Sequence, residues 1–233
     1  MIHNSDSYQL LDSGHFQKLE QVGKWRVIRP ASQAVWNPQL SKKDWDQADA
    51  EFVRTSAQQG EWRPLGKKKL PEEWKVAVAD FETICRPNDF GHFGFFVEHA
   101  NNLKIIEQAC KKGVKEIKNF RVLNLFAYTG LASRAAARSG AEVVHVDASK
   151  TTIAWAGESQ RKYDENLKIR WIVDDVQKFI QREIRRGSVY HGIILDPPSN
   201  GRGPKGNVWK IEENLPELMR QIKQIIDNNF YFL

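Results

Sequence analysis

From residue 121 onward the apolar positions switch repeatedly between two periods. RVLNLFAY (121–128), EVVHVDAS (142–149), KIRWIVDD (168–175) and HGIILDPPS (191–199) are short apolar runs rich in Val, Ile and Leu, the length of strands. LASRAAARSG, KTTIAWAGESQRKY and VQKFIQREIRR lie between them with helical spacing, the first stopped by Gly140. Strict strand–helix alternation predicts a parallel sheet covered on both faces. EHANNLKIIEQACKKGVKEIK, with apolar residues at Leu103, Ile105, Ile106 and Ala109, predicts a helix before the first strand. After the fourth strand come a loop, a helix through ENLPELMRQIKQII, and the start of a fifth strand at 229–233.

The first part of the chain has no such alternation. KWRVIRP and QAVWNP read as strands ended by proline, and WKVAVADFETIC as one longer strand. Trp25, Trp36, Trp45, Trp62 and Trp74 are expected in the core, since large aromatics dominate small cores. The domains read as a small β-rich one over 1–80 and an α/β one over 81–233.

Composition narrows the function classes. No apolar run is long enough to cross a membrane, and the N-terminus lacks the basic start and apolar stretch of a signal peptide. Cys85 and Cys110 form neither a disulfide framework nor a zinc pattern, so both are expected to be structural, in a cytoplasmic protein without a metal. The net charge of +6 permits nucleic-acid binding without demanding it.

Ligands of parallel α/β sheets sit at the carboxyl ends of the strands, where this chain keeps its unusual residues. The first strand ends in Phe126, Ala127, Tyr128, Thr129 and Gly130; Gly130 is expected to let the backbone approach a ligand. The second ends at Asp147, 17 residues after Gly130, placed to accept both hydroxyls of a ribose. The third ends in Asp174 and Asp175, one for an adenine amino group and the other for capping the next helix. A dinucleotide site would need G-x-G-x-x-G, and only Gly130 is present. S-adenosylmethionine has no phosphate, so the missing glycines favour it as cofactor. The fourth strand ends in Asp196, Pro197, Pro198 and Ser199, where a rigid turn can orient an acceptor toward a methyl donor.

Taken together, NLFAYTG, HVDAS, DDV and LDPPS resemble the class I methyltransferases related to bacterial 23S ribosomal RNA guanine-N2 and cytosine-C5 enzymes. FGHFGFFVEHANN resembles the segment these enzymes carry before the first strand, with Gly94, Phe96 and Glu98 as its core. The resemblance implies a Rossmann-like sheet behind the β-rich domain, truncated after the fourth to fifth strand of the family's seven. It implies that residues 126–130 and Ser149 line the cofactor pocket and that Asp147 binds ribose. Asp175 and Val176 would bind adenine, Glu98 would close the methionine end, and 196–198 would form the transfer region. It further implies an RNA substrate, ribosomal in origin, methylated on a base. The amino-methylating relatives carry an aromatic residue after the prolines; Ser199 and Asn200 stand there instead. C5 enzymes need a cysteine near the fourth strand, which neither Cys85 nor Cys110 provides. Arg202, Lys205 and Lys210 follow the transfer turn and are expected to contact RNA. A truncated sheet would leave an open edge and invite self-association. The competing reading is a non-catalytic relative that holds cofactor or RNA without transferring methyl.

Overall fold

A computed structural model describes residues 7–56, 59–202 and 208–233. The chain divides into two compact units, Met1–Glu98 and His99–Leu233.

The first unit is β-rich, as expected. Its main sheet runs in the order β1 (Tyr8–Gly14), β2 (Gln17–Val22), β3 (Trp25–Pro30), β4 (Ala50–Arg54) and β5 (Gly60–Pro64), with one helical turn, α1 (Lys42–Trp45), before β4. All neighbours are antiparallel except β3 and β4. WKVAVADFETIC is not one strand but a hairpin, β6 (Trp74–Val78) and β7 (Phe81–Cys85), reversing at Ala79 with φ 51°. Val78 pairs with Phe81, so a boundary at 80/81 would cut this hairpin, and the expected division moves to 98/99. QAVWNP forms no strand either. Its carbonyls at Ala34 and Trp36 accept the amides of Phe16 and His15 at 2.7 and 2.8 Å, bracing the β1–β2 turn. Trp36 is 52% exposed, contrary to the core role expected of it, while Trp62 and Trp74 pack against buried Phe93 at 4.8 and 5.7 Å between centroids.

The second unit begins with α2 (Ala100–Glu116) and then alternates: β8 (Arg121–Leu125), α3 (Leu131–Arg138), β9 (Glu142–Asp147), α4 (Lys150–Tyr163), β10 (Ile169–Val173), α5 (Val176–Arg185) and β11 (Gly192–Leu195). The sheet is parallel, in the order β10-β9-β8-β11. Successive side chains of a strand point to opposite faces, and both faces here are apolar. Val122 and Val143 pack with Cys110, Phe120 and Ala136; Leu123, Leu125, Val144 and Val146 pack with Phe179, Ile180 and the later helix α6 (Ile211–Ile222). Each such side chain is worth about 1.5–3 kcal/mol of burial, which is why these strands read as unbroken apolar runs. The 201–210 stretch contributes a hairpin of β12 (Asn200–Arg202) and β13 (Val208–Lys210).

Beyond α6 the chain returns alongside β11. Tyr231 N donates to His191 O at 2.8 Å and Ile193 N to Phe232 O at 3.0 Å, and Gly192 bridges Phe232 in parallel. A Cβ on Gly192 would meet the Phe232 ring at 2.5 Å. Residues 229–233 thus lie where a fifth strand was expected, and the outer edge of β11 is partly occupied rather than open. No helix among the described residues is long and apolar enough to cross a membrane.

Candidate active site

The turn from β8 into α3 is strained. Phe126, Tyr128 and Gly130 all have positive φ, at 53°, 51° and 87°. Left-handed backbone costs a non-glycine residue roughly 1–2 kcal/mol, and residues held there cluster at functional sites. Three hydrogen bonds hold this turn. Ala127 N donates to Val146 O at 3.1 Å, Gly130 N to Ala127 O at 3.2 Å, and Tyr128 N to Asp147 Oδ2 at 3.0 Å. At Gly130 a Cβ would meet the Trp171 ring at 3.1 Å and Ala156 at 3.4 Å. On the protein side the close approach is to β10 and α4.

Asp147, at the tip of β9, is fixed from two sides. Its Oδ1 accepts the Ser149 amide at 2.8 Å while Oδ2 holds Tyr128. Each carboxylate oxygen accepts more than one hydrogen bond, so both can still receive ribose hydroxyls. Burial raises its pKa from the usual range, against the amides of Ser149, Tyr128 and Ala148. A desolvated carboxylate already aimed by backbone amides suits a neutral diol donor. Ser149 also caps α4, accepting the Thr152 amide at 3.2 Å.

Beneath the turn lies a buried polar chain. Asn124 Nδ2 donates to Ser133 Oγ at 2.9 Å, and Ser133 Oγ meets His145 Nδ1 at 2.9 Å. Burial pulls the His145 pKa down to about 3, so its ring is neutral at ordinary pH. Thr129 is buried in the same turn.

At the tip of β10 both acids have structural partners. Asp175 caps α5, its Oδ1 accepting the Lys178 amide at 3.0 Å, and Asp174 pairs with Arg182. Of the two acids, Asp175 is the one that caps the following helix. The Val176 side chain is buried in the core, facing away from solvent. Asp174 N donates to Asp147 O at 3.0 Å and ties this tip to the neighbouring one.

At the tip of β11, Asp196 projects into solvent with its side chain 63% exposed and its Oδ2 3.7 Å from His99 Nδ1. Pro197 is half-buried and Pro198 exposed. The Pro198 carbonyl accepts Trp209 Nε1 at 2.7 Å, and the Trp209 ring packs on Phe126 at 4.8 Å. Trp209 thereby joins the Asp-Pro-Pro turn to the strained loop. Sequence reasoning missed Trp209, Trp171 and His99. Only His99 carried a signal, as the residue after Glu98.

Glu98, the last residue of the first unit, is exposed and lines a cavity of that unit. Lys210 pairs with Glu213 at 2.7 Å; Lys205 and the Arg202 side chain lie outside the described residues. Cys85 and Cys110 are buried free thiols, Cys110 pushed up to about 12 by burial, so neither is a nucleophile.

No family model matches the chain. The ribosomal RNA large subunit methyltransferase K/L of Pseudomonas aeruginosa is 29% identical over 167 residues, which is 67% of this chain and 21% of that protein. Its counterpart from Shewanella sp. (strain MR-4) is 36% identical over 144 residues, 60% of this chain and 19% of that protein. The chain thus spans about a fifth of the curated relatives it matches. The crystal structure of the SAM-dependent methyltransferase from Agrobacterium tumefaciens is 42% identical with a TM-score of 0.90, over 95% of this chain and 70% of that one. With strand-tip acids, a strained first turn and this match over nearly its whole length, the chain belongs to the S-adenosylmethionine-dependent methyltransferases.

Proposed function

We propose that this chain methylates a base of RNA, ribosomal in origin, in the cytoplasm. Asp147 carries the reading: a buried-side carboxylate held by two backbone amides beside a strained loop is a site for a neutral ribose. The cofactor supplies an electrophilic methyl group. Residues 126–130 and Ser149 form its pocket together with Asp147. The family resemblance assigns adenine to Asp175, whose Oδ1 also caps α5, and to Val176, which with its side chain buried would act through its backbone. The assignment of Glu98 to the methionine end rests on the family resemblance alone.

Asp196 is the group that meets the acceptor. Its exposure leaves the carboxylate open to an amino or ring N–H, and the paired prolines remove local freedom. Alignment, rather than acid–base chemistry, is the main contribution such a turn makes. The relatives named for large-subunit ribosomal RNA supply the substrate class. The test is methyl transfer from labelled cofactor to ribosomal RNA isolated from cells lacking the gene, followed by mapping of the modified base. Transfer to RNA from the deletion strain and none to wild-type RNA is the expected result. Equal labelling of both, or of neither, overturns the reading.

A further inference from the structure

The first unit holds a cavity whose rim includes Glu98, the residue the family resemblance ties to the cofactor. Its volume is about 150 Å³, below the roughly 300–1,000 Å³ that encloses a drug-sized ligand. That is room for one planar ring with part of its linkage. Lys18, Arg29 and Arg54 line it, against Glu98. Arg29 is held on the floor by Glu20, with both contacts at 2.6 Å, and by the Gly91 carbonyl at 2.8 Å. The surroundings remain cationic. After burial itself, Arg29, Lys18 and Arg54 push the His92 imidazole below its usual range, with Glu98 opposing.

An aromatic ring stands at this cavity. Phe90 is 53% exposed, yet it is not on a loose loop. Asn88 Oδ1 accepts the amides of both Phe90 and His92 at 3.0 and 2.9 Å, and Gly91 N donates to Asn88 O at 3.0 Å. Gly91 sits at φ 79°, and a Cβ there would strike the Phe52 ring at 2.8 Å. Exposing a phenylalanine while bracing it this closely serves a flat, apolar-faced ligand. Single-stranded nucleic acid is recognised by that pairing of aromatic platform and cationic lining.

We propose that this cavity receives one unstacked nucleotide of single-stranded RNA, its base against Phe90 and its phosphate toward Lys18 and Arg54. The inference rests on the proposed function for its choice of RNA, and it makes the first unit the part that grips the strand. Binding of a fluorescein-labelled, mixed-sequence single-stranded RNA 10-mer to the full chain, measured by anisotropy without cofactor, tests it. Phe90→Ala should weaken binding by roughly ten-fold or more, and Phe90→Trp should restore it, because any aromatic face stacks. Lys18→Gln should flatten the dependence of log affinity on log salt by about 0.7. S-adenosylmethionine affinity, measured separately by calorimetry, should stay within about two-fold in all three variants if their fold is intact. Unchanged RNA binding by Phe90→Ala overturns the inference, as does an equal loss of cofactor affinity. A wild-type chain that binds cofactor but no RNA overturns it too. One that binds RNA through Phe90 but no cofactor upholds it and removes the methyl-transfer reading instead.

Discussion

Three side chains decide how the transfer site behaves, and each has a distinct signature. Asp147 receives two amides and is partly buried, so on the proposed reading its loss removes charge-assisted bonds to ribose. Asp147→Ala should weaken cofactor binding by about 1.5–3 kcal/mol, read by calorimetry on a variant whose fold is checked by circular dichroism. Asp196 stands at the tip of β11 with its side chain exposed. Asp196→Ala should therefore cut methyl transfer by ten-fold or more, in line with a lost orienting contact, while cofactor affinity holds; equal losses in both would point to a structural role. His145 governs acid stability. Its folded pKa of about 3 lies below the unfolded value near 6.5, so the unfolded chain takes up a proton that the folded one refuses. The stability it contributes is complete above pH 6.5 and is lost as pH falls toward 3. Denaturant melts between about pH 5.5 and 4 should lose about 1.4 kcal/mol per pH unit from this group, and His145→Gln should flatten that slope. Asp147, whose pKa is raised, acts in the opposite sense, but only within its own carboxylate range.

At the scale of elements, the β12–β13 hairpin depends on one ring. Trp209 is buried, donates to Pro198 O and packs on Phe126. Trp209→Phe keeps the ring contact and deletes the donor, leaving a carbonyl of the transfer turn without that partner. A net hydrogen bond is worth about 1 kcal/mol; transfer rate should fall by several-fold while melting temperature moves little. Elements are also where the sequence is most and least legible. The alternating strands and helices of the second unit follow from period alone, because both faces of a parallel sheet are apolar and each helix is amphipathic. The β6–β7 hairpin was invisible because its reversal uses Ala79 and Asp80, without glycine, proline or asparagine to mark it. QAVWNP looked like a strand for its apolar content, yet its carbonyls serve a distant turn. Strand-tip acids were legible as types at set places. Trp171 under Gly130 and Trp209 under Pro198 were not, since long-range packing brings them there.

For the whole molecule, with a net charge of +6, the proposed RNA binding should be salt-dependent. Each phosphate neutralised on a single strand contributes about −0.7 to the slope of log affinity against log salt. Lys210 pairs with Glu213 at 2.7 Å and Lys18 with Glu20 at 3.1 Å, so pairing does not rank them; because Lys18 lines the cavity of the first unit, Lys210→Ala should change that slope less than Lys18→Gln does. Titrations at several salt concentrations check the order, and a steeper effect at Lys210 would move the grip on RNA to the second unit.

The left-handed pair Phe126 and Tyr128 also bears on how the protein can evolve. Asparagine tolerates that backbone region better than an aromatic residue does. Tyr128→Asn should relieve local strain and raise the melting temperature by a few degrees, since roughly 1 kcal/mol moves the midpoint of a domain this size by about 2–4 °C. Phe126 is held by its packing on Trp209, so the same change there should give no such gain. A laboratory selection for heat tolerance alone should then drift toward Asn at 128 and lose cofactor affinity along the way. Selection for methyl transfer should drive Tyr back, making this position a record of which pressure the population last experienced.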